Sequence, residues 1–307
     1  MEYGIEDVWP LAPLQGGLLF HASFDSRGVD LYNRQIRFDL KGEVDAAALR
    51  AAADALLRRH PSLRAGFLTP GGKDPVQVVA KDPRLPWREV TETDGERAAA
   101  IARDELRIRF DMARPPLLRF ALVHHDPHHH SLLLTSHHIL WDGWSAPVLI
   151  RELFELYERY ERGDSDAGMP PATTYRSYLQ WLVRQDPSAA EMAWREALEG
   201  LSGPTLLAGA ALPATDGEAE RGLVTYRLSQ DLTARLERWA RTRGVTLNTV
   251  LQTGWALVLS ALTGRDDVVF GATVSGRPPE VDGVDGIVGL FINTLPVRIR
   301  PRSEETV

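Results

Sequence analysis

The chain has 307 residues, a formal net charge of −7, 44% hydrophobic and 25% charged residues, and no cysteine. Such a composition belongs to an ordinary globular protein long enough for two domains, and it excludes disulfides, thiolate nucleophiles and cysteine-ligated zinc. The acidic balance argues against a nucleic-acid partner, no apolar run reaches the ~18 residues of a membrane span, and MEYGIEDVWPLAPLQ lacks the pattern of a secretory signal.

In chain order, Asn33–Leu40 alternates, with Ile36, Phe38 and Leu40 on one face, and predicts a half-buried strand. An Ala/Leu-rich helix follows from about Asp45, its N-cap, to Arg59, and GERAAAIARDEL predicts a second. Leu117–Val123 and Ser131–Ser136 read as paired strands joined by a turn over HHDPHHH. SAPVLIRELFELYERY is a helix with Leu149, Leu153, Leu156 and Tyr160 on one stripe and Pro147 in its first turn. ERGDSDAGMPPATT is polar and rich in Gly and Pro, so 164–174 is the expected linker between a first lobe, 1–163, and a second, 175–307.

In the second lobe YRSYLQWLVRQ and SAAEMAWREALEG predict helices and GLVTYRL a strand. A helix then opens on Ser229 and closes at Gly244, and a longer one ends at Gly264. DDVVFGATVSGRP and GLFINTLPVRIR predict strands. Strand–helix–strand order on both sides of the linker implies two related α/β lobes.

The chemistry concentrates in SHHILWDGWS, Ser136 to Ser145. If Leu132–His138 is a strand, successive side chains point to opposite faces, so His137 and His138 cannot share a cleft. Strand geometry does not choose between them. Asp142 stands close enough in sequence to orient an imidazole, or it pairs with an arginine from elsewhere. HHDPHHH holds five of the nine histidines, but in a predicted turn, where solvated polar residues belong, and no metal site is expected there.

HHILWDGWS resembles the HHxxxDG signature of condensation domains in nonribosomal peptide synthetases, relatives of chloramphenicol acetyltransferase. PLAPLQGGLLFH, RHPSLRAGF, YRSYLQW and VGLFINTLPVR match further motifs of that family in the same order and cover almost the whole chain. The resemblance implies two chloramphenicol-acetyltransferase-like lobes in a V-shaped pseudo-dimer. It also implies peptide-bond formation between a donor thioester on an upstream carrier protein and the α-amine of an acceptor on a downstream carrier. Both substrates would arrive on phosphopantetheine arms, with no cofactor bound by the domain itself. Adenylation and epimerisation domains would be neighbours, in the cytoplasm, in a pathway such as antibiotic or siderophore biosynthesis.

By resemblance His138 is the catalytic histidine, as base or as positioner of the amine, and His137 is structural. Asp142 is a strut pairing with Arg277 of VSGRP, and Gly143 lets the backbone approach the site, where a side chain would intrude. Trp144 is packing and Ser145 bonds the helix N-terminus; both are candidate lining residues. PLAPLQGGLLFH with DGWS looks like the branch that takes a D-configured donor. The alternatives are an epimerisation domain, a non-catalytic recruitment module or an acyltransferase using coenzyme A; the intact His137, His138, Asp142 and Gly143 favour an enzyme over a scaffold. Family members continue past RIRPRSEETV, so the second lobe is expected to be incomplete here.

Overall fold

The computed structural model describes residues 4–24, 29–207 and 224–301. It forms two compact units, Met1–Gln185 with Val274–Asn293, and Asp186–Thr273 with Thr294–Val307.

The first unit contains, in order, β1 (Ile5–Pro10), α1 (Pro13–Phe24), β2 (Asn33–Lys41), α2 (Ala46–Arg59), β3 (Ala65–Leu68), β4 (Val76–Ala80), β5 (Trp87–Thr91), α3 (Gly95–Arg107), β6 (Leu118–Asp126), β7 (His129–His137), α4 (Ala146–Glu161) and α5 (Tyr175–Val183). The larger sheet has the order β2-β7-β6-β5, antiparallel except where β5 runs parallel to β6. The smaller is β1-β4-β3.

The period of two explains how the larger sheet is covered. Leu118, Phe120 and Leu122 of β6, with Leu132 and Leu134 of β7, form one core with Leu49, Ala52, Ala53 and Leu56 of α2 and Leu149, Leu153 and Leu156 of α4. The alternate residues Ala121, Val123 and Leu133 pack with Ala98 of α3. Each fully buried leucine contributes ~1.5–3 kcal/mol relative to exposure. Asp45 caps α2 by accepting from Ala47 N–H and Ala48 N–H, both at 2.9 Å.

Residues 164–174 do not separate the compact units. Met169 is buried in the main core, and Arg59 donates to the Pro170 carbonyl at 2.7 Å. Tyr175, Tyr178 and Leu179 of α5 then pack with Trp9, Val79 and Phe291. Burial of this apolar stripe holds α5 in the first unit, and the division falls at Gln185–Asp186.

The second unit contains α6 (Pro187–Ala197), α7 (Gln230–Thr242), α8 (Leu247–Thr263) and most of β8 (Val268–Val274) and β9 (Asn293–Ile299), whose end residues Val274 and Asn293 are counted with the first unit. Ser229 caps α7 by accepting from Leu232 N–H at 3.2 Å, and Gly264 ends α8 in the left-handed region at φ 68°. Asp267 holds β9 through Arg298, whose Nε and Nη2 lie 2.8 and 2.6 Å from its two oxygens.

Two expected strands differ. Gly222–Leu228 lies partly outside the described residues, and among the described residues Val224–Leu228 joins no ladder: Val224 is 95% and Tyr226 84% exposed, so no described neighbour supplies the pairing that a strand needs. Of GLFINTLPVRIR only Asn293–Ile299 is strand, because the backbone of 289–292 turns to the side chains of 142 and 145 instead.

Candidate active site

The site grows from the end of β7. His137 is its last residue, opposite Asn33, on the same face by parity as Leu133 and Thr135, and fully buried. The condition of a strand over Leu132–His138 is not met, because β7 stops at His137. His138 begins a turn closed by Leu140 N–H to His137 O at 3.2 Å, so the turn and not strand alternation sets the two imidazoles apart. Backbone bonds hold the turn on both sides. His138 N–H donates to Tyr32 O at 2.9 Å, and the buried Gln15 donates to Ile139 O at 3.0 Å.

The ring partners fix opposite tautomers. Nδ1 of His138 lies 3.0 Å from Trp141 O; a carbonyl only accepts, so this nitrogen bears the proton and Nε2 keeps its lone pair. Nδ1 of His137 receives Ile139 N–H at 3.1 Å, so there the proton sits on Nε2. Nε2 of His137 lies 3.5 Å from Asp30 Oδ2. His138 is partly exposed while His137 has no exposed surface. A neutral imidazole with a locked Nδ1–H and a free Nε2 can accept a proton at one defined atom.

Asp142 is fully buried and surrounded by donors. Its Oδ1 accepts from Ser145 N–H and lies 3.0 Å from Ser145 Oγ and 3.4 Å from Arg277 Nη2; its Oδ2 accepts from Phe291 N–H at 2.9 Å and Ile292 N–H at 3.2 Å. Arg277 also donates to Val284 O and Ile287 O, and its guanidinium lies 4.1 Å over the Phe291 ring. Ser145 does not cap α4. Its Oγ accepts from Gly289 N–H and Arg277 Nη2, both at 3.1 Å, and its single proton faces Asp142 Oδ1 and Gly289 O. The carboxylate thus stitches the 142–145 turn to the 289–292 segment. Close packing there requires glycine: a Cβ on Gly289 would enter the Tyr175 ring, and one on Gly276, at φ 64°, would meet Phe291 O.

A family model described as Condensation domain matches residues 5–307. The chain belongs to the condensation-domain family. It is 38% identical over 315 residues to a linear gramicidin synthase polypeptide of Brevibacillus parabrevis, covering 99% of this chain and 4% of that protein. It is 34% identical over 302 residues to bacitracin synthase 3 of Bacillus licheniformis, covering 96% and 5%. The chain therefore spans a small part of these relatives. The fold, mixed α/β of the chloramphenicol-acetyltransferase type, is shared with solved structures. The first condensation domain of the calcium-dependent antibiotic synthetase in complex with a substrate analogue gives a TM-score of 0.73 at 23% identity, over 98% of this chain and 70% of that one. The X-domain from teicoplanin biosynthesis, solved in complex with OxyB, gives 0.83 at 24%, over 96% and 66%. Condensation domains of nonribosomal peptide synthetases, such as those of the curated relatives, are amide-forming acyltransferases.

A Cβ on Gly143 would meet no atom of the described chain within 4 Å, so the protein itself does not demand glycine there. Within this condensation domain one expectation about the motif changes. Trp144 is 56% exposed and is not packing. The solvated turn in HHDPHHH is confined to the tip, Pro127–His128, because the ladder runs on to His124–His130 and Asp126–His129. His124 lies 2.8 Å from His130, nitrogen to nitrogen, and 2.9 Å from Glu89, while His125 Nε2 lies 2.8 Å from Ser131 Oγ. Among the described residues no group of three or more His, Asp or Glu is arranged to hold a metal ion. No single described helix is long and apolar enough to cross a membrane.

Sequence reasoning missed Asp30, Gln15 and the amides of 289–292. Gln15 and Gly289 lie inside family motifs, so their importance was signalled but not their partners; Asp30 has no local signal.

Proposed function

We propose that the chain forms a peptide bond between a donor aminoacyl or peptidyl thioester on an upstream carrier protein and the α-amine of an aminoacyl thioester on a downstream carrier. The observation that carries this reading is the 3.0 Å contact of His138 Nδ1 with Trp141 O, which assigns Nδ1 as the donor and leaves Nε2 of the neutral ring as the acceptor. An α-amine with a pKa near ~8 is partly neutral already, so the imidazole has two tasks. It accepts a hydrogen bond from the attacking amine, which orients it, and it takes up the proton released as the tetrahedral intermediate forms. The imidazolium then still donates from Nδ1 to Trp141 O. The thiolate of the donor's phosphopantetheine arm leaves as the amide carbonyl reforms, and it takes the proton back from Nε2 of the imidazolium, which returns the ring to its neutral form. Holding two tethered reactants in line lowers the barrier by up to ~7–11 kcal/mol.

In this reading Asp142, Arg277, His137 and Ser145 hold the frame, and Gly143 and the exposed Trp144 border the substrates. Adenylation and carrier domains are the partners, in the cytoplasm, and no cofactor is bound by the domain itself. The donor terminus is D-configured, a reading supported by PLAPLQGGLLFH together with DGWS.

The test loads donor and acceptor on separate carriers and follows the condensed product by mass spectrometry. A product that forms with the parent sequence and is lost in His138→Ala supports the reading; undiminished product in His138→Ala overturns it. Paired D- and L-terminal donors test the subtype, and an L-donor reacting as fast as the D-donor rejects it.

A further inference from the structure

We propose that Asp30 is a positioning residue for His138, clamping the catalytic imidazole from both backbone sides; the inference rests on the reading of His138 above. Asp30 precedes β2 and is 4% exposed. Its two oxygens serve two routes. Oδ1 accepts from Tyr32 N–H at 2.9 Å, and the Tyr32 carbonyl accepts His138 N–H at 2.9 Å. Oδ2 faces Nε2 of His137 at 3.5 Å, and Nδ1 of His137 accepts Ile139 N–H at 3.1 Å. One carboxylate therefore reaches the amide of His138 and the amide of the residue after it.

The chemistry of each link fixes its direction. An amide N–H can only donate, so Nδ1 of His137 stays unprotonated and the proton of the neutral ring lies on Nε2, toward Asp30. A carboxylate facing that N–H stabilises the tautomer that the Ile139 bond requires. Loss of the charge frees His137 to exchange tautomers or rotate, and the Ile139 amide loses its acceptor. The turn at 137–140 would then loosen, and with it the short path by which Nδ1 of His138 reaches Trp141 O. Arg109 Nη2 lies 3.6 Å from Asp30 Oδ2 and also donates to Ala22 O, anchoring the carboxylate to the end of α1. Burial pushes the Asp30 carboxyl up, but the ring N–H of His137, the Tyr32 N–H and the positive charge of Arg109 outweigh it and hold the group below the usual range, consistent with a carboxylate held for its charge.

The test compares Asp30→Ala and Asp30→Asn in two independent readouts. Nitrogen-15 NMR of the histidine rings reports the His138 tautomer, and steady-state condensation with carrier-bound substrates separates kcat from KM. The expected result for Asp30→Ala is a loss of the single Nδ1–H signature of His138 and a fall in kcat of up to ~100-fold, the size expected for a misplaced reacting group, with KM nearly unchanged. Asp30→Asn keeps an oxygen for Tyr32 N–H and should lose less. An unchanged His138 signature with unchanged kcat overturns the proposal, as does a loss of rate that only follows the folded fraction. If Asp30→Ala does not fold, Asp30→Asn decides by the same criteria. His138→Ala is run alongside: full turnover there refutes the role of His138, while the tautomer readout still judges whether Asp30 positions the ring.

Discussion

Replacing Asp142 by Asn changes one atom and tests whether this carboxylate is a strut. The side chain is fully buried, with Oδ2 accepting from Phe291 N–H and Ile292 N–H, and Oδ1 facing Ser145 and Arg277. An amide has one oxygen, so whichever way it turns, an NH2 group faces donors. Turned toward 291 and 292, it strands two buried backbone donors at ~1–3 kcal/mol each. Turned the other way, it strands Ser145 N–H and brings a donor against Arg277. Either way Arg277, whose side chain is 5% exposed, loses its counter-charge, and breaking a buried pair from one side costs ~3–5 kcal/mol. These costs overlap, so about 4 kcal/mol is the expected loss, or ~8–16 °C in Tm for a unit of this size. Urea and thermal melts followed by circular dichroism and tryptophan fluorescence measure it, and the condensation assay is run in parallel. Stability and turnover should fall together, and Asp142→Asn with Arg277→Gln should destabilise by less than the two single losses combined. A variant that melts like the parent protein yet loses turnover refutes the strut and makes Asp142 a participant in the chemistry.

Gly289→Ala should destabilise by ~1–3 kcal/mol or more, because the added methyl enters the ring of the buried Tyr175; an unchanged melting temperature rejects that packing. Gly143→Ala should leave stability within ~0.5 kcal/mol, since its Cβ points into open space, while slowing turnover if substrate passes there; equal rates would remove Gly143 from the site. Glu152 gives a pH dependence. Burial pushes its carboxyl up, but hydrogen bonds and charge from His60 and Arg59 outweigh this and hold it below its ordinary value of 4.5. The folded form therefore binds this proton only at lower pH than the unfolded chain does. The stabilisation is complete above the ordinary value and is lost as pH falls below it through the folded value. Glu152→Gln should flatten that part of the acid-unfolding curve, and an identical acid transition in both proteins would exclude the His60–Glu152–Arg59 cluster as its source.

Much of the architecture is written in local pattern. Leu132, Leu133 and Leu134 alternate between two cores because a strand has a period of two, and Leu149, Leu153 and Leu156 line α4 because a helix has a period of 3.6. Asp45 and Ser229 cap helices because a short polar side chain satisfies amides two or three residues away. The ordered motifs around His138 identified the family for the same reason: each is contiguous in the chain.

The working geometry of the site is not contiguous, and only the fold decided it. Asp142 meets its backbone donors at residues 291 and 292, His137 meets a carboxylate at residue 30, and Ile139 meets an amide at residue 15. A hydrogen bond between segments far apart in sequence leaves no periodicity to read, because either partner alone looks like any other polar residue or loop amide. The opposite tautomers of His137 and His138 are the sharpest case. Two identical neighbours differ only because one nitrogen found a carbonyl and the other an amide, and that choice was made by the turn at the end of β7. The same holds for the hairpin histidines and for Val224–Leu228, where side-chain pattern suggested one state and the presence or absence of a pairing strand among the described residues set another.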